Sequence, residues 1–524
     1  MGEPWDVVVV GTGFGGSMVA LAAVSAGLRV LLIERGRWVD RDDSAWDPQA
    51  ILLGRKYRSR SPIELPRYGF GRTRFYPDDA VGGKSVFYGA ASFRLREDDF
   101  RLSERFPGAW PALADWPVSY ADLAPFYDDA ERVLGVAGVS GLDPTEPPRV
   151  AGYDSGPPPF SAPARRVAEA ASALGLHPFP IPLAINFAAS DGRRTCIRCT
   201  TCDLFPCKIG AKNDLAVTVL PAAIRQGAKV LPGTIAARVV SEGGRVTGVE
   251  CLDAVTGRRF VEPCRVCVVS GGAIASAGLL LASGLAAVEP NGRWIGRNLM
   301  RHCSGIVVGI FSSPTNPERV FHKQVALTDF YFGHPEGRAP AGPWGMIQGL
   351  QVPPPEYLAA EGGFPIGTIA AHTADRQIYL LCLAPDLPDP ENRVEIDPAV
   401  TDVYGLPVPR VFHRYCRRDR RARQALYREA ARLLRRAGAV LRLRKPINTF
   451  SHALGTCRFG RVPEQAVLDP WCRFFGVPNL FVVDGSFMPS SGGVNPSLTI
   501  AANGLRVGRH IAAEWDRWMT KGGE

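Results

Sequence analysis

A glycine-rich turn between a strand and a helix constrains the fold of this chain more than any other feature. Residues 5–10 read WDVVVV and are followed by GTGFGG at residues 11–16, then by a helix of small residues. An apolar strand over residues 29–33 ends at Glu34. Glycines in such a β-α-β unit let the backbone turn tightly and approach a pyrophosphate, whose charge meets the positive end of the helix. The unit predicts a dinucleotide site with Glu34 placed to bind a ribose, and a tight turn without a ligand is the less favoured alternative.

The composition indicates a large globular protein rather than a disordered one. The chain has 524 residues, of which 46% are hydrophobic and 21% are charged, so it can bury an extensive core. Part of its net charge of +10 comes from the arginine-rich stretch 414–436. Apolar residues recur in that stretch at helical spacing, which favours an amphipathic helix over a nucleic-acid-binding surface. We expect no nucleic-acid partner.

The twelve cysteines are too sparse for a disulfide scaffold. No signal peptide precedes the first predicted strand, and we therefore expect a cytoplasmic protein with reduced thiols. The uncharged stretch 266–288 is long enough to span a bilayer. Its Gly271-Gly272 pair nevertheless favours a buried strand, a tight turn and a packed helix, so we predict no membrane span.

Other local patterns give further predictions about secondary structure. Residues 37–80 are rich in Arg, Pro and Tyr and predict an irregular excursion, whereas residues 392–397 and 480–483 predict strands. Asn495 is a good helix N-cap, and Pro496 suits the first position of the helix that follows.

Further motifs follow in a fixed order along the chain. A second glycine-rich segment, VGGKSVFYGA, occupies residues 81–90, and GRNL occupies residues 296–299. Near the end, SHALGTCR at residues 451–458 precedes DGS at residues 484–486 and GVNP at residues 493–496. Together with the first glycine turn, these motifs resemble those of the glucose–methanol–choline (GMC) flavoprotein oxidoreductases over nearly the whole chain.

The resemblance implies an α/β fold, with a Rossmann-like FAD-binding domain assembled from both chain ends and an antiparallel-sheet substrate domain. It implies that residues 1–150, 205–300 and 450–524 belong to the FAD-binding domain, the last of these with the catalytic motif. Residues 151–204 would form a linker or substrate-domain segment, and residues 301–449 the substrate-binding domain.

The resemblance also implies FAD as the cofactor, held without a covalent bond because the segment 81–90 contains no histidine. The first glycines and Glu34 would bind its ADP part, the second glycine segment its pyrophosphate and isoalloxazine, and the DGS motif its ribityl chain. Tyr88 stands where many members have asparagine. The implied cofactor-binding residues are Gly11, Gly13, Phe14, Gly15, Gly16, Glu34, Arg35, Gly82, Gly83, Ser85, Tyr88, Gly89, Ala236, Gly272, Asp484, Gly485, Asn495 and Pro496.

The same resemblance implies how the chemistry would proceed. Oxidation of an alcohol removes a hydroxyl proton and a carbon-bound hydride, and the hydride would pass to flavin N5. His452 would be the base, since a neutral imidazole is suited to take a proton near neutral pH. Asn495 would hydrogen-bond the same substrate oxygen and orient it.

Four cysteines, Cys196, Cys199, Cys202 and Cys207, lie close together in the sequence. The spacing C-x2-C-x2-C can wrap an iron–sulfur cluster or a zinc ion. The last interval is four residues, however, where the ferredoxin pattern has three. A disulfide or a packed thiol loop is the favoured alternative, and we predict no metal.

The leading hypothesis is an FAD-dependent alcohol dehydrogenase or oxidase that acts on a small-molecule alcohol. Its substrate would be sugar-like, a polyol or an antibiotic intermediate such as an aminoglycoside. A cationic aminoglycoside would need carboxylates, for which Glu356, Asp375 and Asp386 are available. A sterol or other hydrophobic alcohol is the alternative, with the aromatic stretch 328–332 contributing to its cavity. The electron acceptor, O2 or another, stays open.

Three other classes of protein are less favoured. A nicotinamide-dependent dehydrogenase would share the first glycine turn but would have no role for His452 and Asn495. A flavin and iron–sulfur electron-transfer subunit would use the four clustered cysteines as its centre. In a pure binding protein, neither glycine segment would have a function.

Overall fold

The computed structural model describes residues 3–66, 72–107, 112–188, 192–334, 336–337 and 342–516. The strands of this part of the chain are β1 (Trp5–Val10), β2 (Val30–Glu34), β3 (Ile63–Pro66), β4 (Arg72–Phe75), β5 (Val136–Ala137), β6 (Phe179–Pro180), β7 (Leu183–Ala184), β8 (Lys229–Pro232), β9 (Thr234–Glu242), β10 (Arg245–Asp253), β11 (Arg259–Val269), β12 (Gly305–Ile310), β13 (Val325–Leu327), β14 (Met346–Leu350), β15 (Gln377–Leu383), β16 (Arg393–Thr401), β17 (Pro407–Phe412), β18 (Leu441–Pro446) and β19 (Leu480–Val482). The α-helices are α1 (Phe14–Ser25), α2 (Leu102–Arg105), α3 (Tyr120–Leu134), α4 (Ala162–Ser172), α5 (Val219–Arg225), α6 (Ala273–Ala282), α7 (Pro355–Gly362), α8 (Ile366–His372), α9 (Arg417–Arg436) and α10 (Ser497–Ala513).

The first sheet has seven strands in the order β8-β2-β1-β11-β10-β9, and β19 also pairs with β11. The pairs among β8, β2, β1, β11 and β19 are parallel, whereas β10 is antiparallel to both of its neighbours. Residues 7–9 and 30–33 are aliphatic and buried, as is usual for parallel strands covered on both faces. Because strands from residues 5–34 and 480–482 share this sheet, the prediction of a Rossmann-like domain built from both chain ends is confirmed.

The second sheet is antiparallel, with six strands in the order β18-β12-β15-β14-β13-β6. Alternate residues of its central strands point to opposite faces. Ile347 packs in the cluster that contains the apolar face of α9, whereas Met346 and Leu350 pack with the core of the first sheet. The second sheet therefore has one face covered by α9 and the other turned toward the first sheet, as the predicted substrate domain requires.

Two predicted helices have the expected form. The arginine-rich stretch forms α9, and its apolar positions, among them Ala422, Leu426 and Leu433, are buried. The uncharged stretch 266–288 contains the end of β11, a turn at Gly271-Gly272 and α6. Among the described residues, the helices are either too short or too polar to cross a membrane.

Two local predictions are wrong. The stretch 37–80, expected to be irregular, contains the antiparallel pair β3 and β4, which extends a small sheet with β16 and β17. Helix α10 begins at Ser497, with Pro496 as its N-cap and without a capping side chain. Asn495 therefore does not cap the helix. Its side chain instead forms a tertiary hydrogen bond that is described below. The predicted strand at residues 392–397 is confirmed within β16, and the domain boundaries stay a prediction.

Candidate active site

The first glycine turn lies where β1 ends and α1 begins. Gly11 has a φ of +96°, and a Cβ atom there would overlap the carbonyl oxygen of Ser270. A Cβ atom on Gly15 would overlap the carbonyl oxygen of Val483 in the same way. The Gly16 N–H donates to Ser270 Oγ at 2.8 Å. These glycines thus bring the amino end of α1 against the carboxyl ends of β11 and β19.

Glu34 and the second glycine segment are linked through Thr12. Glu34 Oε2 accepts hydrogen bonds from the Thr12 N–H at 2.9 Å and the Thr12 hydroxyl at 2.6 Å, and burial raises the pKa of this carboxyl. The Thr12 hydroxyl oxygen in turn accepts from the Gly82 N–H at 2.9 Å. The side chain of the neighbouring Arg35 pairs with Asp79 at 2.6 Å. Sequence reasoning missed Thr12 because its role depends on a loop far away in the sequence.

The second glycine segment is held by its own polar side chains. Gly82 has a φ of +92°, which favours glycine. The Ser85 hydroxyl donates to the Gly82 carbonyl at 2.6 Å and accepts from the Leu215 N–H at 3.0 Å. The Tyr88 hydroxyl donates to the Asn213 carbonyl at 2.9 Å. The predicted cofactor residues Ser85 and Tyr88 therefore also fix the shape of the loop.

Gly89 lies against a buried ion pair. Lys323 Nζ is 2.8 Å from Asp203 Oδ1, and a Cβ atom on Gly89 would overlap both of these atoms. The ring of Tyr88 lies 5.5 Å from the ring of Phe14, measured between centroids. The second glycine segment is thus packed between the start of α1 and the ion pair.

Asp484 joins two further predicted residues. Its Oδ2 atom accepts from the Gly272 N–H at 2.9 Å and from the Ser276 hydroxyl. The carbonyl of Gly485 accepts from the Gly455 N–H at 3.0 Å, which ties this turn to the segment that carries His452. The predicted residues of the DGS motif therefore sit between the turn after β11 and the His452 segment.

Not every predicted cofactor residue lies at these turns. Ala236 is on the edge strand β9, opposite Cys251 of β10. Pro496 precedes the first residue of α10. Their roles toward the cofactor stay predictions.

The residues at the first glycine turn fit FAD. Helix α1 begins after Gly13 without a capping side chain and without an acidic residue in its first turn, so its N–H groups and dipole favour an anion such as a pyrophosphate. A Cβ atom on Gly13 would meet only the Ser270 carbonyl oxygen, at 3.9 Å, while a Cβ atom on Gly83 would lie 3.1 Å from the Gly13 Cα. Protein packing alone therefore does not require glycine at position 13, whereas the close approach of a phosphate does. Glu34, at the end of β2, accepts a hydrogen bond from the Gly36 N–H through its other carboxylate oxygen at 2.8 Å, and its role toward a ribose stays a prediction.

His452 and His302 share a hydrogen bond between their Nδ1 atoms at 2.9 Å. The Nε2 atom of His302 lies 3.0 Å from the carbonyl oxygens of Ser491 and Gly492. Carbonyl oxygens only accept, so His302 Nε2 carries a proton and, in the neutral ring, its Nδ1 is an acceptor. His452 Nδ1 must then donate, which leaves the lone pair of His452 on Nε2.

His302 is fixed from several sides. The main-chain N–H of His302 donates to Asp386 Oδ1 at 3.0 Å, and its main-chain carbonyl accepts from the Tyr415 hydroxyl at 2.8 Å. Burial lowers the pKa of His302, which keeps its ring neutral. Although Asp386 is itself buried, a hydrogen bond from His413 at 3.2 Å lowers the pKa of its carboxyl. Sequence reasoning missed His302, and its signal was its place shortly after the GRNL motif at residues 296–299.

The surroundings of His452 favour its neutral form. Burial lowers its pKa well below the usual value, and the positive charges of Lys323 and Lys84 add to this effect. Lys84 Nζ donates to the Phe450 carbonyl at 3.3 Å, so one of these charges is attached to the segment that carries His452. An imidazole in these surroundings is a base that remains unprotonated below the ordinary pH range of histidine.

Asn495 is partly exposed, and its Oδ1 atom accepts a hydrogen bond from Gln348 Nε2 at 3.1 Å. Gln348 belongs to β14 of the second sheet. His302 bonds to the carbonyls of residues 491–492, so the segment that carries Asn495 is tied to the histidine pair. The sequence did not indicate Gln348, because no motif contains it.

The four clustered cysteines lie on a loop packed against the second glycine segment. Lys212 Nζ donates to the carbonyls of Tyr88, Cys202 and Phe205 at 2.7–3.0 Å. Cys196, Cys199, Cys202 and Cys207 are free thiols, and burial raises the pKa of Cys196 to about 11. In the described ranges, no group of three or more His, Cys, Asp or Glu side chains is arranged to hold a metal ion.

The carboxylates and aromatic residues that the sequence offered for substrate recognition have contacts or positions of other kinds. Asp386 supports His302, and Asp375 is half-exposed beside Arg376. Glu356 is exposed at the start of α7. In the aromatic stretch, the buried Tyr331 accepts from the Gly493 N–H at 2.7 Å and so supports the segment before Asn495.

Two family models match the chain. The N-terminal GMC oxidoreductase model matches residues 7–304, more than half of the chain, and the C-terminal model matches residues 388–504. The chain is a GMC oxidoreductase. As a member of this family it binds FAD and oxidises alcohols, and the α/β fold expected from the sequence is confirmed.

This GMC oxidoreductase is similar to several curated proteins along 97% of its length. It is 34% identical to paromamine 6'-oxidase from Streptomyces fradiae, of which 92% is covered. It is 33% identical to 6'''-hydroxyparomomycin C oxidase from Streptomyces lividus, with 91% covered, and 31% identical to 2-methyl-1,2-propanediol dehydrogenase from Mycolicibacterium austroafricanum, with 95% covered. Among solved structures, pyridoxine 4-oxidase from Mesorbium loti matches with a TM-score of 0.65, 22% identity and coverage of 97% of this chain and 99% of that chain, which supports the fold.

Proposed function

We propose that this GMC oxidoreductase oxidises a hydroxyl group of an aminoglycoside, with His452 as the general base and Asn495 as the residue that orients the hydroxyl. Two relatives that are 33–34% identical along 97% of the chain carry names of aminoglycoside oxidases. The proposal concerns the substrate class and the roles of the residues. A sterol is the second candidate from the sequence, but the buried Phe330 and Tyr331 in the aromatic stretch favour packing over an open apolar cavity.

The observation that carries the proposal is the hydrogen bond between the two histidine Nδ1 atoms. It commits His452 Nδ1 as a donor to His302 and leaves the lone pair on His452 Nε2, where a hydroxyl proton can be taken. When bound, FAD supplies the acceptor for the hydride that leaves the alcohol carbon. His452 removes the hydroxyl proton, which raises the electron density on the carbon and favours hydride departure.

Asn495 is assigned to the substrate oxygen because, among the described residues, only one end of its amide has a hydrogen-bond partner. Its Oδ1 atom is occupied by Gln348 Nε2 at 3.1 Å, so the Nδ2 group is left to donate. A donor at this place stabilises the negative charge that develops on the oxygen as His452 takes the proton.

The charges near the base restrict how an aminoglycoside would bind. Lys84 and Lys323 both lower the pKa of His452 through their positive charge. Asp203 offsets the charge of Lys323 through their ion pair at 2.8 Å, so Lys84 is the charge that would repel an ammonium group approaching His452. We therefore place the amino groups of the substrate away from the carbon that is oxidised.

The location and the electron acceptor belong to the same proposal. All twelve cysteines are free thiols, which supports the cytoplasmic location expected from the sequence. The relatives named oxidases support O2 as the acceptor, and the relative named a dehydrogenase supports another acceptor.

The test is an anaerobic screen of the purified FAD-loaded protein for loss of its visible flavin absorbance. Candidate alcohols are paromamine, a neutral hexose, 2-methyl-1,2-propanediol and cholesterol. We expect bleaching by paromamine, with Lys84 disfavouring amino sugars whose ammonium group is next to the reacting hydroxyl. Bleaching by the sterol or the diol alone would contradict the proposed substrate class. Admitting air then distinguishes O2 from other acceptors, because the absorbance returns rapidly only if O2 accepts the electrons.

A further inference from the structure

Gln348 is a buried amide in an apolar wall. It lies at the centre of β14 and has no exposed surface. On the same face of the strand, Met346 and Leu350 pack in the core between the two sheets. Its partners on the neighbouring strands are Ala326 and Leu381. A glutamine in this place is therefore surrounded mainly by aliphatic side chains.

The amide of Gln348 is only half satisfied. Nε2 donates to Asn495 Oδ1 at 3.1 Å, while Oε1 has no hydrogen-bond partner among the described residues. A buried carbonyl without a donor costs free energy, and an apolar side chain of similar shape, such as methionine, avoids that cost. The stability of the fold therefore does not explain why position 348 carries an amide. The single hydrogen bond to Asn495 does explain it.

The direction of that hydrogen bond follows from counting which amide groups would be left without a partner. If both amides were reversed, Gln348 Oε1 would accept from Asn495 Nδ2, and both amide protons of Gln348 would be buried without an acceptor. In the observed orientation Oε1 and one Nε2 proton have no partner among the described residues, so the two arrangements differ by one unpaired carbonyl oxygen against one unpaired N–H. An unpaired buried N–H is rarer in proteins than an unpaired carbonyl oxygen, which favours the observed direction. Gln348 thus holds Asn495 with Oδ1 turned toward β14.

We infer that Gln348 is a positioning residue that fixes the amide of Asn495 with its donor end toward the substrate, and thereby selects a hydroxyl over an ammonium group as the reacting group. A hydroxyl oxygen can accept from Asn495 Nδ2, whereas an ammonium group has no lone pair and only donates. A site with this polarity oxidises a carbon that bears oxygen on a molecule that carries both kinds of group. The inference rests on the proposed function, in which Asn495 touches the substrate oxygen.

Two substitutions separate this role from a structural one. Gln348→Met removes the amide but retains an unbranched side chain of similar size. Gln348→Glu supplies an acceptor in place of the donor, so that Asn495 would turn its Nδ2 toward residue 348 and its Oδ1 toward the substrate. Both variants retain His452, His302 and the glycine segments.

A matched control lies on the adjacent strand. Gln377 is also buried, and its Oε1 also lacks a partner in the described part of the chain. Its Nε2, however, donates to the Ala370 carbonyl and the Thr373 hydroxyl, both at 2.9 Å. These bonds hold α8 to the sheet and do not reach Asn495. Gln377→Met should lower the melting temperature and leave the rate of flavin reduction unchanged.

The experiment measures the melting temperature of each variant, with and without FAD, and its kcat and KM with the best alcohol from the screen. For Gln348→Met we expect a melting temperature equal to or above that of the wild type and a kcat lowered about 10–100-fold. Gln348→Glu should lower kcat at least as much. In an Asn495→Ala background, Gln348→Met should cause no further loss, because Gln348 acts through Asn495.

Any one of four results would overturn the inference: a lower melting temperature for Gln348→Met, an unchanged kcat for Gln348→Met, an undiminished kcat in Gln348→Glu, or equal losses in the wild-type and Asn495→Ala backgrounds. These results are separate from a failure of the proposed substrate. If another alcohol bleaches the wild type and paromamine does not, the substrate class is wrong, and the variants are compared with that other alcohol. If no alcohol bleaches the wild type, a destabilised Gln348→Met protein still overturns the inference, since the melting temperature does not depend on turnover.

Discussion

The Nδ1 atoms of His302 and His452 are 2.9 Å apart, although the two residues are separated by 150 positions in the chain. Two neutral imidazoles can share such a bond only if one Nδ1 is protonated and the other is not. The main-chain carbonyls of residues 491–492 decide which, because they require the proton of His302 on Nε2. The tautomer of the proposed base is therefore set by backbone oxygens that never touch it.

His452→Ala should retain FAD and the fold but lose reduction of the flavin by alcohols, by about 100-fold or more, because the proton acceptor is gone. The measurement is stopped-flow bleaching of the loaded protein under anaerobic conditions. His372→Ala serves as the control, since His372 is an exposed residue of α8. A normal bleaching rate in His452→Ala would mean that another group takes the proton.

His302→Phe should lower kcat by about 10–100-fold with little change in KM, because His452 then loses the acceptor that fixes its tautomer. His302→Asn places an amide oxygen near the position of Nδ1 and should restore much of the rate. Steady-state kinetics of the two variants make the comparison. Equal losses in both variants would indicate that His302 supports the segment only by packing.

The pH profile of kcat/KM should have an acid limb with a midpoint below about 6.5, the ordinary pKa of histidine. The direction follows from His452, whose pKa is lowered by burial and by nearby positive charges, so that it stays an unprotonated base at lower pH. Lys84→Met removes one of these charges and should move the midpoint upward by a fraction of a pH unit. Lys229→Met, on β8, should leave the midpoint in place. A downward shift for Lys84→Met would contradict this account.

Gly13→Val should fold normally and fail to retain FAD. A Cβ atom at Gly13 has no protein atom closer than 3.9 Å, so the side chain would enter the space where the pyrophosphate approaches the start of α1. FAD content after gel filtration and the circular dichroism spectrum separate the two effects. Gly156→Val is the control, because a Cβ atom on Gly156 has no neighbour within 4 Å. Unfolding of Gly13→Val would show that protein packing requires this glycine.

Asp99 should make the stability of the fold depend on pH. Burial raises the pKa of Asp99 to about 6 from the ordinary 3.8, so the folded protein binds this proton more tightly than the unfolded chain does. The resulting stabilisation is complete below about pH 4 and is lost as the pH rises through about 6. Asp99→Asn cannot ionise, and its free energy of unfolding relative to wild type should increase by about 2 kcal/mol between about pH 4 and about pH 7. Urea titrations across this range provide the measurement, and a constant difference would contradict the prediction.

The features that local sequence determines were predicted well. The first glycine turn gave β1, α1 and β2, because tight turns and apolar strands leave a pattern within one short segment. The spacing of Ala422, Leu426 and Leu433 gave α9 for the same reason. Since local patterns report local structure, these elements could be predicted from one segment each, whereas the neighbouring strands β3 and β4 were missed because their residues 63–66 and 72–75 lack a clear strand pattern.

The supporting residues of the site were not predicted, because each acts on a distant segment. His302 meets His452, Gln348 meets Asn495, and Thr12 meets Gly82. The error at Asn495 has the same origin. Its type and position suit a helix cap, but its amide is taken by a strand of the second sheet, and a tertiary contact of this kind overrides the local preference.

The position of β19 in the first sheet has a consequence for how the protein is made. This strand, contributed by residues 480–482, pairs with β11 and is followed by α10, which packs on α1. A ribosome releases β1, β2 and β11 long before it delivers these partners. Until residues 480–513 emerge, residues 267–269 of β11 therefore lack their partner strand and one side of α1 is uncovered, so the first sheet can be completed only near the end of synthesis.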